Sequence, residues 1–226
     1  MSLLKTLAEK PWLPPMAGAG FAPPHGLIPS AAGRTALKFF IAVASVIFFL
    51  LTITFLSRTQ YPDFQALAGE PWQPFSNTSQ LWLNTAILLL ASIALRWGVV
   101  SSRQQNLGQI TIALVAASLF SMMFLFAQFA VWQQLYSLGY FVSSNPANSY
   151  FYLFTGIHGL HLLGGLVALA RCTVLFTTRR DCTQLNRGLA LCRSYWDFLL
   201  LIWLFLFLLL TLSSASYRAI AVLCGF

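Results

Sequence analysis

The sequence predicts an all-α fold, a polytopic transmembrane bundle of five spans with the N-terminus cytoplasmic and the C-terminus outside. Three observations carry that expectation. Lys and Arg number 13 and Asp and Glu 5, together 8% of 226 residues, where a soluble domain carries roughly a quarter. Apolar residues make up 58% of the chain, with 20 Phe and a mean hydropathy of +0.74. Five separate stretches are apolar over about 20 residues, the length needed to cross a hydrocarbon core of about 30 Å. So few ionic groups cannot cover a surface facing water. The net charge of +8 does not point to nucleic acid either, because no Lys/Arg run exceeds the pair Arg179-Arg180.

The elements follow in chain order. Residues 1–34 have no apolar core of a signal peptide; Pro11, Pro14, Pro15, Pro23 and Pro24 interrupt them, beside Trp12 and Phe21. They read as an irregular cytoplasmic arm, apolar enough to lie along a partner subunit. A membrane domain of five spans is expected over residues 35–217. The spans run at about 35–56, 81–100, 109–133, 151–176 and 195–214, and residues 218–226 form a short external tail. Pro62, Pro71 and Pro74 mark the first connection, Gly108 the second and Asn145-Pro146 the third. The spans are about twice the length of a tilted barrel strand and lack period-two alternation, so they read as helices.

Basic residues set the orientation. Lys5, Lys10, Arg34, Lys38, Arg96, Arg103, Arg171, Arg179, Arg180, Arg187 and Arg193 fall on one side of a five-span chain. Only Arg58 and Arg218 fall on the other, which makes the first side cytoplasmic. Cys172, Cys182 and Cys192 then face the reducing side and Cys224 the outside. With no C-x-x-C spacing and no His among them, neither zinc nor an intramolecular disulfide is expected.

Ionisable groups inside spans are the first place to look for function. Asp197 is expected within about a turn of the cytoplasmic end, paired with Arg193 four residues back or with Arg171 on the preceding span; a proton-collecting carboxylate is the sharper alternative. His158 and His161 share one helical face. Of the three His, His25 lies in the arm, too few for a haem-copper centre, and paired Glu-x-x-His motifs are lacking. The chain is therefore expected to bind no metal or haem. The two histidines read as hydrogen-bonding across helices, beside Gly156, Gly159, Gly164 and Gly165, which let backbones approach. Trp72, Trp82, Trp97, Trp132, Trp196 and Trp203 read mostly as an interfacial belt.

Residues 151–165, FYLFTGIHGLHLLGG, and 194–207, SYWDFLLLIWLFLF, resemble the last two helices of subunit III of the haem-copper respiratory oxidases, in its five-helix bacterial form. The resemblance extends more loosely over residues 35–217. It carries over His158, His161, Gly159, Tyr195 and Trp196 as structural or lipid-facing positions. It does not carry over the family's ionisable groups. Ser45 stands where an intramembrane carboxylate is usual, and the last helix has Asp197 and Leu200 at its usual His and Asp positions. The resemblance implies a non-catalytic core subunit of an aerobic terminal oxidase in the bacterial inner membrane. Such a subunit packs against subunits I and II, holds structural phospholipid and supports proton uptake, with haem and copper in the partner. Electrons would arrive from cytochrome c through other subunits. A ubiquinol oxidase, a nitric oxide reductase accessory role and membership of a respiratory supercomplex remain open alternatives. A transporter or channel would need broken helices or paired midplane charges, which the spans lack.

Overall fold

The structure is a computed structural model and describes residues 29–64, 67, 79–179, 182–212, 216–217 and 219–220. The arm up to residue 28, His25, Trp72, Arg180, Arg218 and Cys224 lie outside the described residues. Among the described residues the long helices are five: α1 Pro29–Arg58, α2 Ser79–Arg103, α3 Leu107–Ser137, α4 Pro146–Arg179 and α5 Cys182–Leu210. Each contains a stretch long and apolar enough to span a membrane.

The ends of the helices have local causes. Pro29 opens α1 and Pro146 opens α4, where a missing N–H breaks no helical bond. Asn145 supports the start of α4, its side chain accepting from the Ala147 N–H at 3.2 Å. Asn106 caps α3 by accepting from the Gln109 N–H, and the preceding Gln105 turns the chain with a φ of 54°. After α3, Gly139 adopts a φ of 85°, the left-handed conformation that ends helices.

The helices overrun the spans expected from hydropathy. α1 begins at Pro29 rather than residue 35, so the last part of the expected irregular arm is helical. α5 begins at Cys182, thirteen residues before Tyr195, and stops at Leu210 rather than 214. The early turns of α5 carry few consecutive apolar residues, which hid them from a hydropathy window. They nevertheless bury Leu185 and Leu189.

Helices α2 and α3 form the closest pair. α5 packs on α2, α4 and α1, and α1 touches only α4 and α5. The interior is aromatic: Trp196, Trp203, Phe48, Phe55, Phe124, Phe151 and Phe154 are fully buried. The outward faces are apolar too, with Phe39, Val43, Val46, Phe49 and Leu50 of α1 exposed. In a bilayer such a face is solvated by lipid.

The antiparallel seam between α4 and α5 is close at Gly165. A Cβ at Gly165 would lie 2.9 Å from the Trp196 ring and 3.0 Å from that of Tyr195. At the adjacent Gly164 it would meet nothing within 4 Å. Gly165→Ala should therefore lower unfolding stability by about 1–3 kcal/mol through overpacking, while Gly164→Ala should leave it unchanged. Detergent-titration unfolding of the two variants checks this; equal effects would refute the seam.

Candidate functional site

Three features concentrate the chemistry of the bundle: a cleft, a set of side-chain bonds between helices, and one carboxylate cluster. The cleft, of about 560 Å³, opens between α1, α4 and α5 and is lined by Phe40, His161, Gly164, Cys192, Tyr195 and Trp196 among others. A second hollow of about 310 Å³ shares Leu37 and Leu191 with it and adds Arg34 and Lys38. Together they make an apolar groove with two cations at its mouth. It exists because α1 packs on only two neighbours, and Gly164 leaves its floor open.

The two histidines sit differently from the sequence expectation. His158 is fully buried, with the Trp203 ring centroid at 5.4 Å and that of Phe124 at 5.8 Å. Neither of its ring nitrogens has a hydrogen-bond partner in the protein. His161 bonds its own helix, Nδ1 to the Ile157 carbonyl at 2.8 Å, so this nitrogen carries the proton. It also meets the Phe40 and Phe48 rings. Hydrogen bonding by the imidazoles across helices is thus corrected. The bond between helices at this point comes from the Tyr195 hydroxyl, which donates to the His161 backbone carbonyl at 3.0 Å. A Cβ at Gly159 would meet Leu125 at an ordinary 3.8 Å.

The tryptophans also need correction. Trp196 and Trp203 are not an interfacial belt. Trp196 donates its indole N–H to Ser121 of α3 at 3.1 Å, and Trp203 donates to Thr85 of α2 at 2.9 Å. Trp132 of α3 donates to Thr155 of α4 at 3.0 Å, and Asn84 donates to Gln128 at 3.0 Å. Among the described tryptophans, Trp82 and Trp97 keep large exposed faces. The sequence reading missed Asn84, Thr85, Ser121, Gln128 and Thr155, although every one was visible as a polar residue inside an apolar stretch.

Asp197 is held mainly by α2. Its Oδ1 accepts from the Ser92 hydroxyl at 2.7 Å and from Arg96 at 3.0 and 3.3 Å. Arg193 lies 3.6 Å from Oδ2. Among the described residues no ion pair joins Asp197 to Arg171; the interhelical partner is Arg96. Asp197 lies fifteen residues into α5, which begins at Cys182, and its side chain is 30% exposed. Ser45 returns its hydroxyl to the Ile41 carbonyl at 2.8 Å. Among the described residues no three His, Cys, Asp or Glu side chains converge as metal ligands. Cys172 and Cys192, separate in the sequence reading, meet with their sulfurs 3.9 Å apart.

Removing Arg96 should cost more than neutralising Asp197. Arg96→Leu leaves the part-buried Asp197 carboxylate with Ser92 and only the longer Arg193 contact at 3.6 Å, whereas Asp197→Asn keeps an acceptor for Ser92. The expected loss is about 1 kcal/mol or less for Asp197→Asn and clearly more for Arg96→Leu, read from detergent-titration unfolding. The reverse order would mean that Arg96 does not hold the carboxylate.

Known proteins resemble this chain. The family model described as cytochrome c oxidase subunit III matches residues 11–214. Cytochrome c oxidase subunit 3 of Chondrus crispus is 30% identical over 184 residues, 77% of this chain and 64% of that protein. The protein of the same name from Thermostichus vulcanus is 28% identical, over 74% of this chain and 85% of its own length. The probable cytochrome c oxidase subunit 3 of Mycobacterium leprae is 29% identical with the same coverage. The chain thus spans just under two thirds of the Chondrus crispus relative and most of the other two.

Proposed function

This chain belongs to the cytochrome c oxidase subunit III family, and from that premise we propose that it is the non-catalytic core subunit of an aerobic, proton-pumping terminal oxidase. In this reading subunits I and II are its partners, the redox centres lie in those chains, and cytochrome c is the electron donor. The names of the relatives support that choice of donor.

The observation that carries the reading is the character of the bundle interior. Several of its buried polar groups join one helix to another, and among the described residues its one fully buried histidine is enclosed by two aromatic rings. Such residues do not fit haem or copper, which need several imidazoles or thiolates converging on one point. Rigidity toward a neighbouring subunit and a groove for lipid are what the arrangement supplies. The apolar cleft suits acyl chains, and Arg34 and Lys38 at its mouth suit a phosphate headgroup.

The orientation proposed from the basic residues fits the same picture. Arg34 and Lys38 near the start of α1 line a hollow with Ala190 and Ser194 near the start of α5, so the basic ends gather at one end of the bundle. That end faces the cytoplasm, with the chain crossing the bacterial inner membrane five times. Asp197, tied to two arginines and a serine, acts in this account as an anchor between α2 and α5. Support of proton uptake is then indirect, through the packing of this wall and its lipid against subunit I.

Detaching this chain from the purified oxidase tests the proposal. Haem and copper spectra should remain close to native and the initial rate of oxygen reduction near normal. Activity should then fall over successive turnovers, and added phospholipid should slow that fall. Outright loss of the haem bands, or full activity sustained indefinitely, would overturn the reading.

A further inference from the structure

The two cysteines brought together on the α4–α5 seam have no role in the reading above, although Cys192 lines the cleft. Cys172 is half-exposed near the end of α4, Cys192 is 6% exposed on α5, and their sulfurs are 3.9 Å apart. A glycine makes that approach close. Gly188 lies one turn before Cys192 on the same face of α5, and a Cβ there would stand 2.9 Å from the Cys172 sulfur. The Cys172 side chain therefore lies directly against the α5 backbone. A disulfide needs its two backbones within a few ångströms of one another, and helices touching through a glycine meet that need. Rotation about the Cα–Cβ bonds supplies the remaining closure.

We propose that Cys172 and Cys192 form an oxidisable dithiol, a site of reversible covalent modification whose co-reactant is hydrogen peroxide. Peroxide is small and uncharged, so it reaches a thiol at the edge of a bilayer. The half-exposed Cys172 is the thiol it meets. A sulfur–oxygen bond forms as the peroxide O–O bond breaks, and the thiol proton leaves with the departing hydroxide as water. Cys172 is then a sulfenic acid. The Cys192 sulfur attacks it, the S–S bond forms and the S–O bond breaks, and the Cys192 proton leaves in a second water. Two thiols have lost two electrons and two protons, and one peroxide has become two waters. The product fixes α4 to α5 beside the cleft, which Cys192 lines.

The experiment uses the chain in its complex, in lipid nanodiscs, with Cys182→Ser and Cys224→Ser removing the other thiols. Hydrogen peroxide is added, free thiols are alkylated, and tryptic peptides are weighed. The expected result is a linked pair of peptides bearing Cys172 and Cys192, two hydrogens lighter than their sum and separated again by dithiothreitol. Cys192→Ser should trap Cys172 as a sulfenic acid that dimedone labels, and Cys172→Ser should leave Cys192 unoxidised. Two results would overturn the proposal. One is full alkylation of both thiols after peroxide. The other is over-oxidation of Cys172 to the sulfinic acid while Cys192 stays alkylatable.

Discussion

An indole or amide N–H inside a bilayer has no water to bond, so a buried one is stabilised strongly by an acceptor within the protein; among the described residues the Gln128 side-chain nitrogen is the amide left without one. The rest of this structure is arranged around that constraint. Trp196 finds Ser121, Trp203 finds Thr85, Trp132 finds Thr155 and Asn84 finds Gln128. These bonds tie α5 to both α2 and α3, α3 to α4, and α2 to α3. The hydrophobic effect contributes little to holding helices together in lipid, because the tails are as apolar as the side chains. Packing and these few directed bonds must do it. α1 uses its hydroxyls differently: Ser45, Thr52 and Thr54 each return theirs to a carbonyl of α1 itself. Of the other four long helices it packs against two, α4 and α5, and the cleft lies along its flank.

The number of spans was legible because hydropathy over 20 residues is an averaged signal, robust to single residues. Depth was not legible, because it depends on where a helix starts and not on where its apolar run starts. Thirteen unrecognised residues at the start of α5 put Trp196 and Asp197 at the end of a helix in the sequence reading; in the structure both lie well along α5, Trp196 buried and Asp197 30% exposed. The same error pointed to Arg171 as the interhelical partner of Asp197, when Ser92 and Arg96, one turn apart on α2, are the groups at its depth. A search restricted to charges passed over Asn84 and Gln128. Amides and hydroxyls within a span carry as much information about helix contacts as charges do. The cysteine pair was illegible for another reason. A separation of twenty residues says nothing about proximity until the antiparallel register of α4 and α5 is known.

Family membership and physical reading meet in what the chain lacks and what it offers. The hydroxyl of Ser45 is absorbed by its own helix, bonded to the Ile41 carbonyl. Asp197 is absorbed by a cluster of two arginines and a serine. Both polar groups serve the bundle itself. What remains is a wall of aromatic residues, stiff where α2 to α5 are tied together and open where α1 leans on them.

The central claim, that indole-to-hydroxyl bonds between helices hold α5 in the bundle, is tested most directly by a double-mutant cycle. Trp196→Phe, Ser121→Ala and the pair are compared by unfolding of the reconstituted chain in a detergent titration. A coupling energy of roughly 0.6–1.7 kcal/mol, the range of such bonds in membranes, is the result this account predicts. Simple additivity of the two single changes would contradict it, and would leave packing alone as the force on α5.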